Sequence, residues 1–241
     1  MSLPNNAALE SRLPSYKKPI LCYVTDRRSL QVPAREDSLA LILEKMELAA
    51  AASIDWIQLR EKDLSGKQSI ALTREALRRV SNRSHLAPAP ARIIINDRLD
   101  VAIAERAGGI HLGENSLNVH DAKRLVAASQ SAQTFPSDFL LGVSCHSLEA
   151  AQSAAAAGAD YIFFGPVFAT PSKAEYGAPQ GLARLAEVCS SVKIPVLAIG
   201  GITAENAPAC LSAGASGIAA IRLFQDSPDL AATVNTLRQH V

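Results

Sequence analysis

The residues of this chain that could do chemistry sit in short strings, each directly behind an apolar run. Ile57 leads into Gln58-Leu59-Arg60-Glu61-Lys62, and Ile93-Ile94-Ile95 leads into Asn96-Asp97. Phe163-Phe164 opens into Gly165-Pro166 and then Thr170-Pro171-Ser172-Lys173, and Val196-Leu197-Ala198-Ile199 ends in Gly200-Gly201. Amides, a carboxylate, cations, hydroxyls and bare backbone N–H groups are the groups that bind an anionic, phosphate-bearing ligand together with a divalent cation.

Each string also has a purely structural account. Asp97 is a candidate Mg²⁺ ligand, because Mg²⁺ is bound through one or two carboxylates plus phosphate oxygens. It also precedes an expected helix, where it could simply cap. Gln58, Arg60 and Lys62 alternate, so on a continuing strand they face one side. Two cations and an amide gathered there call for an anionic partner; fraying surface charge suits Lys62 better than Arg60. Gly200-Gly201 offers N–H groups to phosphate ahead of a helix expected near Thr203, and Arg222 at the expected end of strand eight could add a bidentate contact; a tight turn needs the same glycines. Thr170, Ser172 and Lys173 could wrap a phosphate or belong to a solvated loop. His146, after Ser144-Cys145, could be a general base or a structural residue at a helix start, and His111 invites the same two readings. Asp26 and Arg27 read as loop charges, and Trp56 and Phe163 as packing.

The elements that must position these groups alternate from Pro19 onward. Strands are expected at Ile20–Val24, Asp55–Arg60, Arg92–Ile95, Gly109–Leu112, Leu140–Val143, Asp160–Phe164, Pro195–Ile199 and Gly217–Ile221. Helical spacing fills the intervals: Ser38–Ala52, Gly66–Asn82, Leu99–Ala107, Val119–Ser129, Ser147–Ala157, Leu182–Ser190, Ala204–Ala213 and Leu230–His240. Short, continuously apolar strands are buried on both faces, as in a parallel sheet covered by helices. Eight β/α units predict a single closed (β/α)8 TIM barrel, an α/β fold whose C-terminal strand ends share one mouth. Ala107-Gly108-Gly109, Ala157-Gly158-Ala159 and Ala213-Gly214-Ala215 read as helix stops before strands. Residues 1–18 are expected to be a flexible tail and 19–241 the barrel domain. The stretch from Pro166 to Gly181 is a long loop and a candidate lid.

The chain has 241 residues, 48% hydrophobic and 20% charged, with a net charge of +1. That balance gives no electrostatic case for nucleic acid or a membrane surface. No apolar run is long enough to span a bilayer, and no signal pattern opens the chain. Cys22, Cys145, Cys189 and Cys210 lack CxxC pairing or zinc-ligand spacing and read as small buried hydrophobes in a reducing compartment. Cytoplasm is the default expectation, with small molecules as partners; a homo-oligomer is compatible with the sequence.

Gln58-Leu59-Arg60-Glu61-Lys62, Ile95-Asn96-Asp97-Arg98, Gly109-Ile110-His111-Leu112-Gly113, Gly142-Val143-Ser144-Cys145-His146-Ser147, Gly165-Pro166-Val167-Phe168 with Thr170-Pro171-Ser172-Lys173, and Ala198-Ile199-Gly200-Gly201-Ile202 resemble the thiamine-phosphate synthase/TenI family. The resemblance spans nearly everything from Pro19 on. It implies a transferase of thiamine biosynthesis that joins a hydroxymethylpyrimidine diphosphate to a hydroxyethylthiazole phosphate and releases diphosphate. Departure of diphosphate would come first, and the thiazole nitrogen would capture the pyrimidine cation. By the same resemblance, Gln58, Arg60, Lys62 and Asn96 would contact the pyrimidine diphosphate, and Asp97 would bind Mg²⁺. Ser144 and Lys173 would hold the diphosphate or aid its departure. Thr170, Ser172, Gly200, Gly201 and the strand-eight end at Ile221 and Arg222 would hold the thiazole phosphate.

Two positions depart from the family pattern. Glu114-Asn115-Ser116 puts Ser116 where a second metal-binding Asp is expected, leaving Glu114 as the carboxylate that would reach the Mg²⁺ instead. Arg222 stands where a Ser is usual. TenI-type members are metal-independent thiazole tautomerases with an acid/base His at the position of His146, so that activity is the alternative. A non-catalytic barrel that binds a thiamine intermediate is a third reading, since fold alone does not fix function; an unrelated phosphate-binding isomerase would leave the shared strings to coincidence.

Overall fold

The computed structural model describes residues 18–30, 37–83, 90–130, 136–170 and 178–239. The expected tail lies outside the described residues, apart from Lys18. Strand β1 (Ile20–Val24) leads through a 3-10 turn to α1 (Ser38–Ala51); β2 (Trp56–Leu59) and α2 (Gly66–Arg83) follow. Then come β3 (Arg92–Asn96), α3 (Leu99–Ala104), β4 (Gly109–Leu112) and α4 (Val119–Gln130). The second half holds β5 (Leu140–Cys145), α5 (Leu148–Ala156), β6 (Tyr161–Phe164), α6 (Gly181–Ser191), β7 (Val196–Ile199), α7 (Ala207–Ser212), β8 (Gly217–Ala220), α8 (Arg222–Gln225) and α9 (Leu230–Gln239).

The strands pair in parallel in chain order, and β8 pairs with β1 to close the barrel. Side chains alternate across each strand, so closure divides the apolar residues into two cores. Ile20, Cys22, Val24, Trp56, Ile94, Leu140, Tyr161, Phe163, Leu197 and Ala219 fill the barrel. Leu21, Tyr23, Ile57, Ile93, Ile95 and Ile110 point outward under the helices. Trp56 and Phe163 are therefore packing residues, as expected. The four cysteines are free, three of them buried and Cys189 half-buried.

Local chemistry sets the element ends. Asp37 caps α1 by accepting from Leu39 N at 2.9 Å, and Ser147 caps α5 by accepting from Ala150 N at 3.1 Å. Gly158 and Gly214 take the left-handed conformation as helix stops. Gly108 does not; Arg106, at φ +52°, turns the chain there instead and ends α3 at Ala104, earlier than the spacing predicts. At the closed end, Asp55 Oδ2 accepts from Leu21 N at 2.7 Å and from Arg238 Nη2 at 3.0 Å. Arg238 also donates to the carbonyls of Pro19 and Ser53, tying α9 to the first turn of the barrel. Among the described residues, no helix is long and apolar enough to cross a membrane.

Candidate active site

The C-terminal strand ends surround an open cavity of about 660 Å³. Gln58, Arg60, Lys62, Asn96, Asp97 and Ser144 all line it, so these groups converge as the sequence suggests, whereas Thr170, Gly200, Gly201 and Arg222 are not part of its lining. Glu114, Ser116, His111, His146 and Ile221 line it too.

One continuous hydrogen-bonded rim runs from β2 to the loop after β4. Gln58, only 2% exposed, donates Nε2 to Asn96 Oδ1 at 2.9 Å. Asn96 donates Nδ2 to Asp97 Oδ2 at 2.7 Å. Asp97 Oδ1 accepts from Gly113 N at 2.9 Å and from the Ser116 hydroxyl. The helix-cap account of Asp97 is thereby corrected: Arg98 holds the N-cap position of α3 and makes no side-chain cap bond. Asp97 sits at φ +60°, a conformation uncommon outside glycine, and its carboxylate turns from the helix to the mouth. Burial would raise its pKa, but the bonds from Ser116, Gly113 and Asn96, with the Lys62 charge, hold it below the usual carboxylate range.

Beyond Gln58 the expected alternation stops, because β2 ends at Leu59. Arg60 and Lys62 reach the mouth from a loop, and Thr25, Glu61 and Arg27 anchor that loop. Thr25 Oγ1 accepts from Arg60 N at 3.0 Å and donates to Glu61 Oε1 at 2.8 Å. The Glu61 side chain, 3% exposed, also accepts from Arg27 N at 3.2 Å and pairs with the Arg27 guanidinium at 3.6 Å. Burial pushes the Glu61 carboxyl upward in pKa against these contacts. Asp26 and Arg27 are thus more than loop charges: Asp26 caps the 3-10 turn through Arg28 N, and Arg27 grips Asp63 bidentately at 2.9 and 2.6 Å.

On the opposite wall, Ser144 Oγ lies 2.9 Å from His111 Nε2, and His111 Nδ1 lies 3.1 Å from the Tyr161 hydroxyl. His146 Nδ1 donates to the Gly165 carbonyl. A carbonyl only accepts, so in the neutral ring Nε2 carries the lone pair.

The loops after β6 and β7 meet backbone to backbone. Gly200 and Gly201 have φ of +95° and +65°, and a Cβ on Gly200 would lie 2.6 Å from Pro166 Cα. Phe168 N donates to Gly200 O at 3.0 Å. The expected helix near Thr203 starts later, at Ala207; a reciprocal Thr203–Asn206 turn takes up the first residues. Thr170 is half-buried at the end of the described loop, whereas Ser172 and Lys173 lie outside the described residues. Strand β8 stops at Ala220; Ile221 lines the cavity, and Arg222 is exposed at the start of α8.

The family model described as thiamine monophosphate synthase matches residues 22–224. The chain belongs to this family. The thiamine-phosphate synthase of Methanoculleus marisnigri is 43% identical over 194 residues, covering 80% of this chain and 85% of that protein. That of Chlorobium phaeobacteroides is 38% identical over 214 residues, covering 88% and 91%. The solved thiamine phosphate pyrophosphorylase from Pyrococcus furiosus aligns with a TM-score of 0.73 at 30% identity, over 92% of this chain and 95% of that one.

As a member of the thiamine monophosphate synthase family, the chain carries its two departures in informative places. Ser116 occupies the expected second-carboxylate position, with its hydroxyl on Asp97. Arg222 opens a helix outside the cavity lining instead of ending a strand. Among the described residues, no three His, Cys, Asp or Glu side chains gather to hold a metal unaided. The donors present suit Mg²⁺ all the same: an ionised carboxylate and a hydroxyl in contact, with Glu114 on the same cavity, form an all-oxygen set of the kind completed by substrate phosphates.

Proposed function

We propose that the chain is a thiamine-phosphate synthase that couples a pyrimidine diphosphate to a thiazole phosphate, with residues 19–241 as its catalytic domain. The observation that carries this reading is the rim from Gln58 through Asn96 and Asp97 to Ser116, with Arg60 and Lys62 on the same cavity. A metal-free proton transfer has no use for that set. The tautomerase reading rests on His146 and on the departures at Ser116 and Arg222, and the intact rim with its two cations weighs against it.

Arg60, Lys62, Asn96, Ser144 and Lys173 bind the diphosphate and set its direction of departure. Gln58 and Asn96 fix one another, so the pyrimidine meets amides already oriented. The C–O bond to diphosphate breaks with its electron pair leaving on oxygen. Cations and hydroxyl donors on the mouth take up that charge. The thiazole nitrogen then donates its lone pair to the exposed methylene carbon, and no proton transfer is required. Thr170, Ser172, Gly200, Gly201 and Ile221 position the thiazole phosphate. When bound, Mg²⁺ supplies neutralisation of the leaving diphosphate; Asp97 would hold it, with Ser116 and Glu114 alongside.

The test is incubation of the purified protein with both substrates, with and without Mg²⁺, and fluorescence detection of thiamine phosphate after oxidation. Product that needs Mg²⁺ supports the reading. No product from folded protein overturns it.

A further inference from the structure

The mouth is wired into the barrel interior through a polar chain that the coupling chemistry alone does not call for. His111 is 1% exposed, yet both its ring nitrogens are engaged: Nε2 with Ser144 Oγ and Nδ1 with the Tyr161 hydroxyl. Its ring packs on Phe163 with centroids 4.1 Å apart, which fixes the plane of the imidazole. The register explains how Tyr161 reaches it. His111, Gly142 and Tyr161 lie side by side on β4, β5 and β6. Gly142 leaves the gap between them, because a Cβ there would lie 2.0 Å from Tyr161 Cζ. The glycine of the Gly-Val-Ser-Cys-His string is thus the opening that lets Tyr161 touch His111.

Both neutral tautomers fit these contacts, but only the one protonated on Nε2 gives the buried Tyr161 proton an acceptor among the described residues, at His111 Nδ1. Tyr161 is fully enclosed, and burial holds its phenol well above its usual pKa, so it keeps its proton and can donate to Nδ1. A neutral imidazole that accepts at Nδ1 carries its proton on Nε2 and donates to Ser144 Oγ. The serine's own proton then remains for the ligand. In the reverse tautomer that proton is spent on Nε2, and Ser144 presents only lone pairs to an anion.

We propose that Tyr161 and His111 are positioning residues: they hold the imidazole in its Nε2–H tautomer and keep the Ser144 hydroxyl proton directed at the substrate diphosphate. This rests on the synthase reading of the mouth. It assigns a role in turnover to residues in the barrel core, two and four strands away from the loop that carries Arg60 and Lys62.

Two measurements test it. In protein labelled with ¹⁵N-histidine, long-range ¹H–¹⁵N spectra report the tautomer of His111, identified by the signal lost in His111→Gln. The Nε2–H pattern is expected, and an Nδ1–H pattern overturns the proposal whether or not the protein turns over. In steady state, Tyr161→Phe keeps the ring and removes the donor. It should lower kcat about tenfold while leaving KM for the thiazole phosphate unchanged. In a Ser144→Ala background the same change should have no further effect, because the pair acts only through that hydroxyl. An equal loss in that background overturns the relay. His111→Gln, which can still donate to Ser144, should retain more activity than His111→Leu; if His111→Leu does not fold, Tyr161→Phe and the double variant decide. A wild-type protein that makes no thiamine phosphate overturns the synthase reading instead, and the spectra then judge the hydrogen-bond chain alone.

Discussion

The Ser116 hydroxyl donates to the Asp97 carboxylate at the barrel mouth, from the loop after β4 to the adjacent loop after β3. A serine at this point does for the resting protein what a second carboxylate could not: it lowers the cost of burying Asp97 instead of adding a like charge beside it. The exchange should show in metal affinity. Ser116→Asp is expected to lower the Mg²⁺ concentration for half-maximal activity about tenfold, read from a Mg²⁺ titration of initial rates. An unchanged or higher requirement would mean that this position does not face the metal.

Asp97→Ala should reduce Mg²⁺-dependent coupling by about a hundredfold or more, because the rim loses the carboxylate at its centre and Asn96 loses the acceptor that orients it. Full activity in this variant, measured with saturating substrates, would remove Asp97 from the metal site.

His146→Ala should keep thiamine phosphate synthesis within about threefold of the parent, since the coupling needs no acid or base at that position. Loss of synthesis with normal folding would show that His146 acts in the reaction and would reopen its role as a proton donor.

Gly200→Ala should destabilise the fold by about 1–3 kcal/mol in urea unfolding, because φ of +95° and the 2.6 Å approach to Pro166 both exclude a side chain. KM for the thiazole phosphate should rise more than KM for the pyrimidine diphosphate. The reverse order would place the phosphate elsewhere.

Arg238→Ala should cost about 2 kcal/mol at neutral pH by leaving the Asp55 carboxylate half-compensated at the closed end. Burial raises the Asp55 pKa in the fold, while Leu21 N and Arg238 oppose the rise. For such a group the stabilisation is full below the unfolded pKa and is lost as pH rises through the folded one. Removing Arg238 lifts the folded pKa further, so the penalty should be larger near pH 7 than near pH 4. Urea midpoints across that range check the sign, and a penalty independent of pH would exclude the carboxylate as its source.

Most of this architecture was legible in the sequence because barrel strands are short, apolar and regularly interrupted. Ile20–Val24 and Gly109–Leu112 fall where the pattern puts them. Where expectation and structure part, distant contacts decide. Nothing local distinguishes a capping Asp97 from one aimed at the mouth; its partners Gly113 and Ser116 are 16 and 19 residues away. Thr25 and Glu61 carry no local signal of their role, because their bond joins two loops 36 residues apart. Arg222 reads as a strand end, but Ile221, at φ −90° and ψ −78°, has already turned the chain into α8. The polarity of His111 was visible from the start, while its depth, and the missing side chain at Gly142 that admits Tyr161, appear only once three strands are in register.

The interlocked loops after β6 and β7 bear on how this protein could be re-engineered. Gly165, Gly200 and Gly201 each press on the neighbouring main chain, with Cβ positions within 2.0–2.6 Å of backbone atoms. At these glycines the proposed phosphate cradle has no side chain to exchange, so that part of it is not adjustable by point substitution. Libraries aimed at new acceptors would be spent there on misfolded variants. The tunable half of the proposed active site is the amide and cation side, at Gln58, Arg60, Lys62 and Asn96, where each group is a side chain on an anchored strand or loop.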